Sequence, residues 1–464
     1  AQLVGSNNPL PEPLVQRITE RAQGNPFYIE ELVNLIADQK LDPTNIANLA
    51  TLDLPDSLHR LIISRIDQLD EGPKNILKVA SVVGRLFKAS WLWGAYPQLG
   101  GVAQVKAHLA TLSSLDLTPL DRTDPDLEYL FKHVVTQEVA YESLAYATRA
   151  TLHEQIGGYI ETTYGEEGAI DLLAHHYGLS KNVAKQREYF RQAGDIAAAR
   201  YANNAALDYY SRLLPLLPPA ETFPVMFALG NIWKLLGSWP RAETLYQEIL
   251  DLALDLDDPI SAGQAWSDLG DIQSSQGNHQ LALQSSAEAL RCAEKAGSLL
   301  LQVQVLLRKG WILSYCGQIA EALAISNQAL RLCSDLGDER MLALSLKLHG
   351  YMHVLLGHYD QAERSFHSSL ETHRRLNDRE DIGRVLNVLG ENARMRGDYA
   401  QAVEHYQAAL AIGRELRHPD RLIMFLSNLG GALVGAGDAL EAVAVLQEAL
   451  QLARTTNWYG LDET

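Results

Sequence analysis

The stretch RVLNVLGENARMRGDYAQAVEHYQAAL, residues 384–410, decides the fold. Val385, Leu386, Val388 and Leu389 form an apolar-periodic helix that runs towards Gly397-Asp398, a helix stop and turn. A second helix, from Ala400 to about Leu416, carries Ala402, Val403, Tyr406, Ala409, Leu410 and Ile412 at i, i+3, i+4 spacing. Gly390 sits inside the first helix at a cost of about 1 kcal/mol relative to alanine. The same cost recurs every forty residues, at Gly230, Gly270, Gly310, Gly350 and Gly430, so it has a structural reason. Gly390 and Ala402 fall where the two helices cross, and small residues there let the backbones approach, with Leu389 and Tyr406 filling the space on either side. The turn glycine recurs in step at Gly237, Gly277, Gly317, Gly357 and Gly437, with no insertion or deletion across six copies. A period of this size predicts a solenoid of helical hairpins, which typically holds a partner along its surface.

The motif resembles the tetratricopeptide repeat, densely so at Trp266, Leu269-Gly270, Gly277, Ala282 and Ala289. It is equally clear at Leu389-Gly390, Gly397, Tyr399, Ala402, Tyr406 and Ala409. Lys309 and His349 depart from the leucine that precedes the glycine, and forty residues exceed the usual length of about 34. A weaker copy, with Gly194, Ala206, Tyr210 and Leu214, precedes the run. The resemblance implies a right-handed superhelical solenoid.

With 47% hydrophobic and 21% charged residues, the 464-residue chain has an ordinary globular composition and length for two to four domains. A net charge of −18 argues against nucleic acid or an anionic membrane as partner, because phosphate binding needs a positive footprint. Cys292, Cys316 and Cys333 have neither disulfide-framework nor metal-ligand spacing and suit a reducing cytoplasm. The sequence has no apolar run near the roughly 18 residues of a membrane span. Its opening, Ala-Gln-Leu-Val, reads as ordered chain and suggests a piece of a longer protein.

The first 215 or so residues have no period. Residues 13–38 read as a helix pair joined at Gly24-Asn25-Pro26, where Pro26 opens the second helix. A polar linker (39–53) leads to helices from Leu54-Pro55 to Leu69, at 73–83 and at 102–114, and a strand pair at Leu117–Leu120 and Glu128–Phe131. A long helix is expected from Thr136 to Tyr164. Helices closed by a two-stranded wing suggest a winged helix, but its recognition stretch, Phe87 to Tyr96, has one lysine and many aromatics, which speaks against DNA reading. Glu20–Leu32 resembles the lid end of signal-transduction ATPases with numerous domains, a branch of the AAA+ class. Leu54–Leu69, Ala80–Phe87 and Tyr129–Ile156 are similar to the winged helix and following segment of that family. The expected layout is all-α with a minor β wing: lid remnant 1–50, winged-helix-like domain 51–165, connecting helices and a divergent repeat 166–220, six repeats 221–464.

That resemblance implies that Pro26 packs near adenine and that His133 senses the nucleotide phosphates in the full-length protein. The chain itself has no Gly-x-x-x-x-Gly-Lys-Ser/Thr segment, so ATP, ADP and magnesium are expected only with an upstream domain. Gly430 to Gly437 mimics a phosphate loop, but no strand precedes it and two of its glycines are repeat glycines. His175-His176 and the Asp255, Asp257, Asp258 knot lack metal-site spacing. No catalytic or metal-binding residue is expected.

In tetratricopeptide domains the first helix of each repeat lines the groove, at three before and one and four after the repeat glycine. Here those positions bring Asn231, Lys234, Trp311, Lys347, Tyr351, Asn387 and Arg394 to the surface that would hold a partner. An aromatic and basic band of this kind suits an extended peptide carrying an acidic group. Tyr351 stands where a chaperone-tail clamp has asparagine, so that specific partner is not expected. The expected function is the non-catalytic, cytoplasmic sensor region of a bacterial signalling ATPase tied to a cyclase or kinase output, with room for oligomerisation on activation. The alternative is a free-standing adaptor for protein–protein interaction.

Overall fold

In a computed structural model of the chain, the structure describes residues 15–16, 18–20, 25–38, 57–165, 168–416 and 419–455. The expected polar linker, the Leu54-Pro55 helix start and Gly24 lie outside them. The chain divides into two compact units between Leu216 and Leu217.

In the first unit, α1 (Pro26–Asp38) starts where Asn25 Oδ1 accepts from the Phe27 and Tyr28 amides, so Pro26 takes the first helical position. It is followed by α2 (Leu58–Asp67), α3 (Glu71–Val83), β1 (Leu86–Lys88), α4 (Ala89–Ala95), α5 (Val102–Ser114), β2 (Leu120–Arg122) and β3 (Glu128–Leu130). The strands form one antiparallel sheet in the order β1-β3-β2, with Phe87 opposite Tyr129. Phe87 and Phe131 meet in the core with ring centroids 5.7 Å apart and planes tilted by 55°. Two expectations are corrected here. Phe87 and Lys88 belong to a strand rather than to a helix running on to Tyr96, because Phe131 and Ala89 amides bond Arg85 and Leu127 carbonyls across the sheet. The helix expected over Thr136–Tyr164 is two, α6 (Val134–Glu142) and α7 (Tyr146–Tyr164), broken where Ala145 is extended at φ −60°, ψ 145°. No glycine or proline marks that break. The unit ends in α8 (Ile170–Gly178), α9 (Val183–Ala199) and α10 (Asn203–Leu213). The weaker repeat copy is the α9–α10 hairpin, where a Cβ on Gly194 would lie 2.6 Å from the Tyr210 ring.

The second unit is six helical hairpins: α11 (Phe223–Leu235) with α12 (Trp239–Asp255), α13 (Pro259–Ser275) with α14 (His279–Lys295), and α15 (Leu299–Tyr315) with α16 (Ile319–Leu336). They continue as α17 (Glu339–Leu355) with α18 (Tyr359–Arg375), α19 (Arg379–Met395) with α20 (Tyr399–Leu416), and α21 (Pro419–Ala436) with α22 (Ala439–Thr455). Each hairpin turns on its second glycine, which is left-handed from φ +68° at Gly237 to φ +88° at Gly437. The next amide then reaches back to a helix carbonyl, as Asp398 does to Ala393 at 2.9 Å, closing the helix end. In three of the copies the first glycine makes room for an aromatic ring sixteen residues on. A Cβ would lie 2.7 Å from Tyr246 at Gly230, 2.6 Å from Phe366 at Gly350 and 2.8 Å from Tyr406 at Gly390. The partner alanines, Ala242 to Ala402, are fully buried. The architecture is thus all-α with one small sheet, and its larger part is a repeat solenoid.

Candidate ligand groove of the solenoid

The first helices of the six copies line one continuous groove of about 1440 Å³, wholly within the second unit. Its lining includes Lys234, Trp311, Lys347, Tyr351, Asn387 and Arg394, six of the seven residues placed there by spacing. Asn231 is not among the lining residues; its Oδ1 accepts from the Tyr246 hydroxyl at 3.3 Å. Trp311 and Tyr351, one residue past the repeat glycines of neighbouring copies, meet with ring centroids 4.9 Å apart. They form an apolar shelf, half-buried at the middle of the wall.

Seven cationic side chains and three carboxylates line the groove, an inversion of the charge of the whole chain. Most of the cations are spoken for. Lys234 reaches Asp268 at 3.3 Å and Asp271 at 3.4 Å, and Arg308 reaches the same two at 2.8 and 2.9 Å. Arg394 holds Glu391 in a two-point pair at 2.7 and 2.9 Å, and Tyr406 donates to the same carboxylate. Burial would raise the Glu391 carboxyl, but the hydrogen bonds from Arg394 and Tyr406 outweigh it and hold the group below its ordinary range. Arg394 is therefore a brace between two helices of one hairpin as well as a wall residue. Asn387 is bonded to Asn428 at 2.9 Å.

Lys347 differs most from its expected role. Its side chain is 4% exposed and its Nζ donates to Asp381 Oδ1 at 2.8 Å. Asp381, 3% exposed, also receives Arg384 at 3.1 Å and Arg340 at 3.5 Å. Burial would raise Asp381, but Lys347 and Arg384 overcome it and hold the carboxyl at about 2. Burial, with Arg384 beside it, pushes the Lys347 ammonium down to about 7. The other copies have Phe227, Ser267, Leu307, Asn387 and Ser427 at this position, so a buried lysine is peculiar to this copy. Behind it stands His373, fully buried with neither ring nitrogen bonded, where the other copies have Ala253, Ala293, Cys333, Gly413 and Ala453. His373, Asp378 and Asp381 offer ligand atoms within 4.8 Å of one another. The space a metal ion would take against Asp381 is held by Lys347 and Arg384.

Arg308, Arg340, Arg384 and Arg421 are wall residues that the spacing argument missed. Gln264, Gln304, Leu344, Arg384 and Met424 all line the groove six residues before the repeat glycine. Carrying the stripe one helical turn further towards the N-termini finds Arg384 at once.

In the first unit, the helix opened by Pro26 lies beside His133. Phe27 and His133 have ring centroids 3.8 Å apart, and His133 Nε2 is 3.7 Å from Glu30 Oε2. Lys132 pairs with both Glu30 and Asp116. Burial lowers the His133 pKa against the raising effect of Glu30. Glu31 and Arg65 form a buried pair at 2.6 Å that ties α1 to α2. None of the described helices is long and apolar enough to cross a membrane.

The tetratricopeptide-repeat family profile matches residues 342–415 and 381–455. An uncharacterized protein of Rhizobium meliloti (strain 1021) is 25% identical over 264 residues, 53% of this chain; the chain spans about a quarter (25%) of that relative. Among solved structures, the Rap protein complexed with competence and sporulation factor has a TM-score of 0.52 at 10% identity, covering 70% of this chain and 93% of its own. The Rap conjugation regulator of plasmid pLS20, in complex with the Phr* peptide, has a TM-score of 0.51 at 12% identity, covering 69% and 93%. A signal-transduction ATPase with numerous domains and a tetratricopeptide-repeat sensor, from Pyrococcus horikoshii, has a TM-score of 0.42 at 13% identity, covering 97% and 70%. The solenoid is of the tetratricopeptide type.

Proposed function

We propose that this chain is the sensing and coupling region of a bacterial signalling ATPase, cytoplasmic and without catalytic residues of its own. The solenoid takes an extended peptide or protein segment along its groove. The observation that carries this reading is the groove itself: about 1440 Å³, long, open, lined by six successive helices and centred on the Trp311–Tyr351 shelf. Large aromatic side chains in a concave wall are the usual anchors of a peptide interface. The two Rap neighbours, which share the fold, are structures of complexes with the Phr* peptide and with competence and sporulation factor.

The coupling role rests on the first unit. Glu20–Leu32 resembles the lid end of the ATPase family, and four helices (α2 to α5) with a three-stranded sheet suit its winged helix. Pro26 and His133 come from segments more than a hundred residues apart and meet through Phe27, as two nucleotide-facing residues of one domain would. In this reading residues 1–50 and 51–165 report nucleotide state, 166–220 connect, and 221–464 sense the ligand, with ATP and magnesium held by a preceding domain and a cyclase or kinase as output.

The solenoid part is tested by screening the chain against an immobilised set of random 12-residue peptides. Selected peptides are expected to lose at least about tenfold in affinity on Trp311→Ala or Tyr351→Ala, roughly 1.4 kcal/mol or more, with the melting temperature little changed. Unchanged binding in both variants would remove the groove from the account. By calorimetry the chain alone is expected to show no tight ATP binding, since it lacks a phosphate loop; a sub-micromolar ATP site would contradict the division of labour.

A further inference from the structure

The peptide-binding reading is the premise here; what is added is the chemical group the ligand carries and the residues that read it. At one end of the groove the charges balance, with Lys234 and Arg308 against Asp268 and Asp271. Around Asp381 the pairing is uneven. Four cations, Arg340, Lys347, Arg384 and Arg421, meet the carboxylates of Asp378, Glu380 and Asp381, while Asp420 lines the wall beside them without an ion pair among the described residues. Lys347 is buried and Arg340 is paired at 2.9 Å with Asp378. Arg421 is the least satisfied: its guanidinium reaches Glu380 only at 3.4 Å, and its Nε is buried with no hydrogen-bond partner. Arg384 has one carboxylate, shared with two other cations, and the charge of Arg421 bears on it directly. Two guanidinium groups on neighbouring first helices thus line the groove wall, each incompletely paired.

We propose that Arg384 and Arg421 form a subsite for a single carboxylate of an extended peptide whose apolar side chain rests on the Trp311–Tyr351 shelf. A guanidinium presents its donors in a planar fork that matches a carboxylate, and the terminal nitrogen of Arg421 is held only by the 3.4 Å contact to Glu380. Asp420, which lines the same stretch without an ion pair among the described residues, disfavours a dianion such as phosphate more than a monoanion.

The test uses the full chain and the 12-residue peptide set with both ends blocked, so that carboxylates come only from Asp and Glu. Glutamate members are expected to outbind their glutamine twins by about tenfold, an effect of the size of one charge-assisted hydrogen bond. R421Q, which removes only a 3.4 Å contact to Glu380, is expected to erase that preference while neutral members bind as before. R384Q is expected to do the same, and D420N to tighten acidic members alone. A second set with free C-termini separates a terminal carboxylate from a side-chain one; either as the preferred form supports the subsite. The proposal fails if Glu and Gln twins bind alike, if the preference survives R384Q and R421Q, or if phosphoserine members outbind glutamate ones. Loss of all peptide binding, neutral members included, in the unaltered chain would overturn the peptide reading and this subsite with it.

Discussion

Asp381→Asn is expected to destabilise the solenoid by about 3–5 kcal/mol, the usual cost of removing one partner from a buried ion pair. The substitution leaves Lys347, Arg384 and Arg340 facing one another around an amide. Lys347→Met, by contrast, is expected to fall within about 1 kcal/mol of the parent or to be more stable, because Asp381 keeps two arginines and an unfavourably buried ammonium is gone. The two sides of one 2.8 Å contact are therefore expected to behave oppositely. Because a solenoid's stability is a sum of repeat and nearest-neighbour terms, urea unfolding of Asp381→Asn should split into two transitions, with the last two copies melting first. A single parent-like transition would contradict this.

The same cluster sets a pH dependence. Asp381 sits at about 2, below its unfolded value of roughly 4, so its stabilisation is present above pH 4 and is lost as pH falls from there towards 2. Lys347 sits at about 7, below its unfolded value of roughly 10.4. Between these two values the unfolded chain binds more protons at this site, so stability from it rises with pH. The advantage of Lys347→Met should accordingly be greatest at pH 6–7 and shrink towards pH 10. An advantage that grows with pH would mean that Lys347 is stabilised as the ammonium.

The second large effect lies at the helix crossings. Gly390→Val is expected to cost about 3 kcal/mol, since its Cβ alone would lie 2.8 Å from the buried Tyr406 ring. Gly390→Ala gains about 1 kcal/mol of helix propensity but still meets the ring, for a net loss. At Gly270 the ring is absent: Ser286 stands where Tyr406 does, and the nearest atom to an added Cβ is the Ala282 carbonyl oxygen at 3.3 Å. Gly270→Ala should therefore be close to neutral in thermal unfolding of the full chain. Equal losses at the two sites would show that these glycines serve something other than ring clearance.

The crossing was readable from the sequence because its small residues, Gly390 and Ala402, are written into the period, while within the six copies the ring of Tyr406 recurs only as Tyr246 and Phe366. Position in a helical repeat fixes which way a side chain faces, so Lys234, Trp311, Tyr351 and Asn387 could be set on the groove by counting from the glycine. Counting cannot say what a side chain meets there. Lys347 reads as a groove cation, yet an aspartate 34 residues away draws it into the wall. Arg384 was missed because the stripe was stopped one turn too early, and Arg421, nine residues before Gly430, because it was stopped two turns too early. In the first unit no repeat supplied a frame. The helix break at 143–145 carries no glycine or proline, and three-residue β1 is too short for its alternation to register against the aromatic run that follows. The expected β2–β3 pair is present, with its first strand at Leu120–Arg122 rather than Leu117–Leu120, whereas the β1–β3 pair rests on long-range hydrogen bonds that local pattern does not encode.

The central claim is that the first helices of the copies hold a peptide along one wall. Amide hydrogen exchange of the full chain, with and without the tightest-binding peptide from the 12-residue set, tests it most directly. The account predicts added protection in 299–315, 339–355, 379–395 and 419–436, which line the groove, and little in the second helices behind them. Protection concentrated in 319–336, 359–375 and 399–416, or confined to the first unit, would place the ligand elsewhere and contradict it.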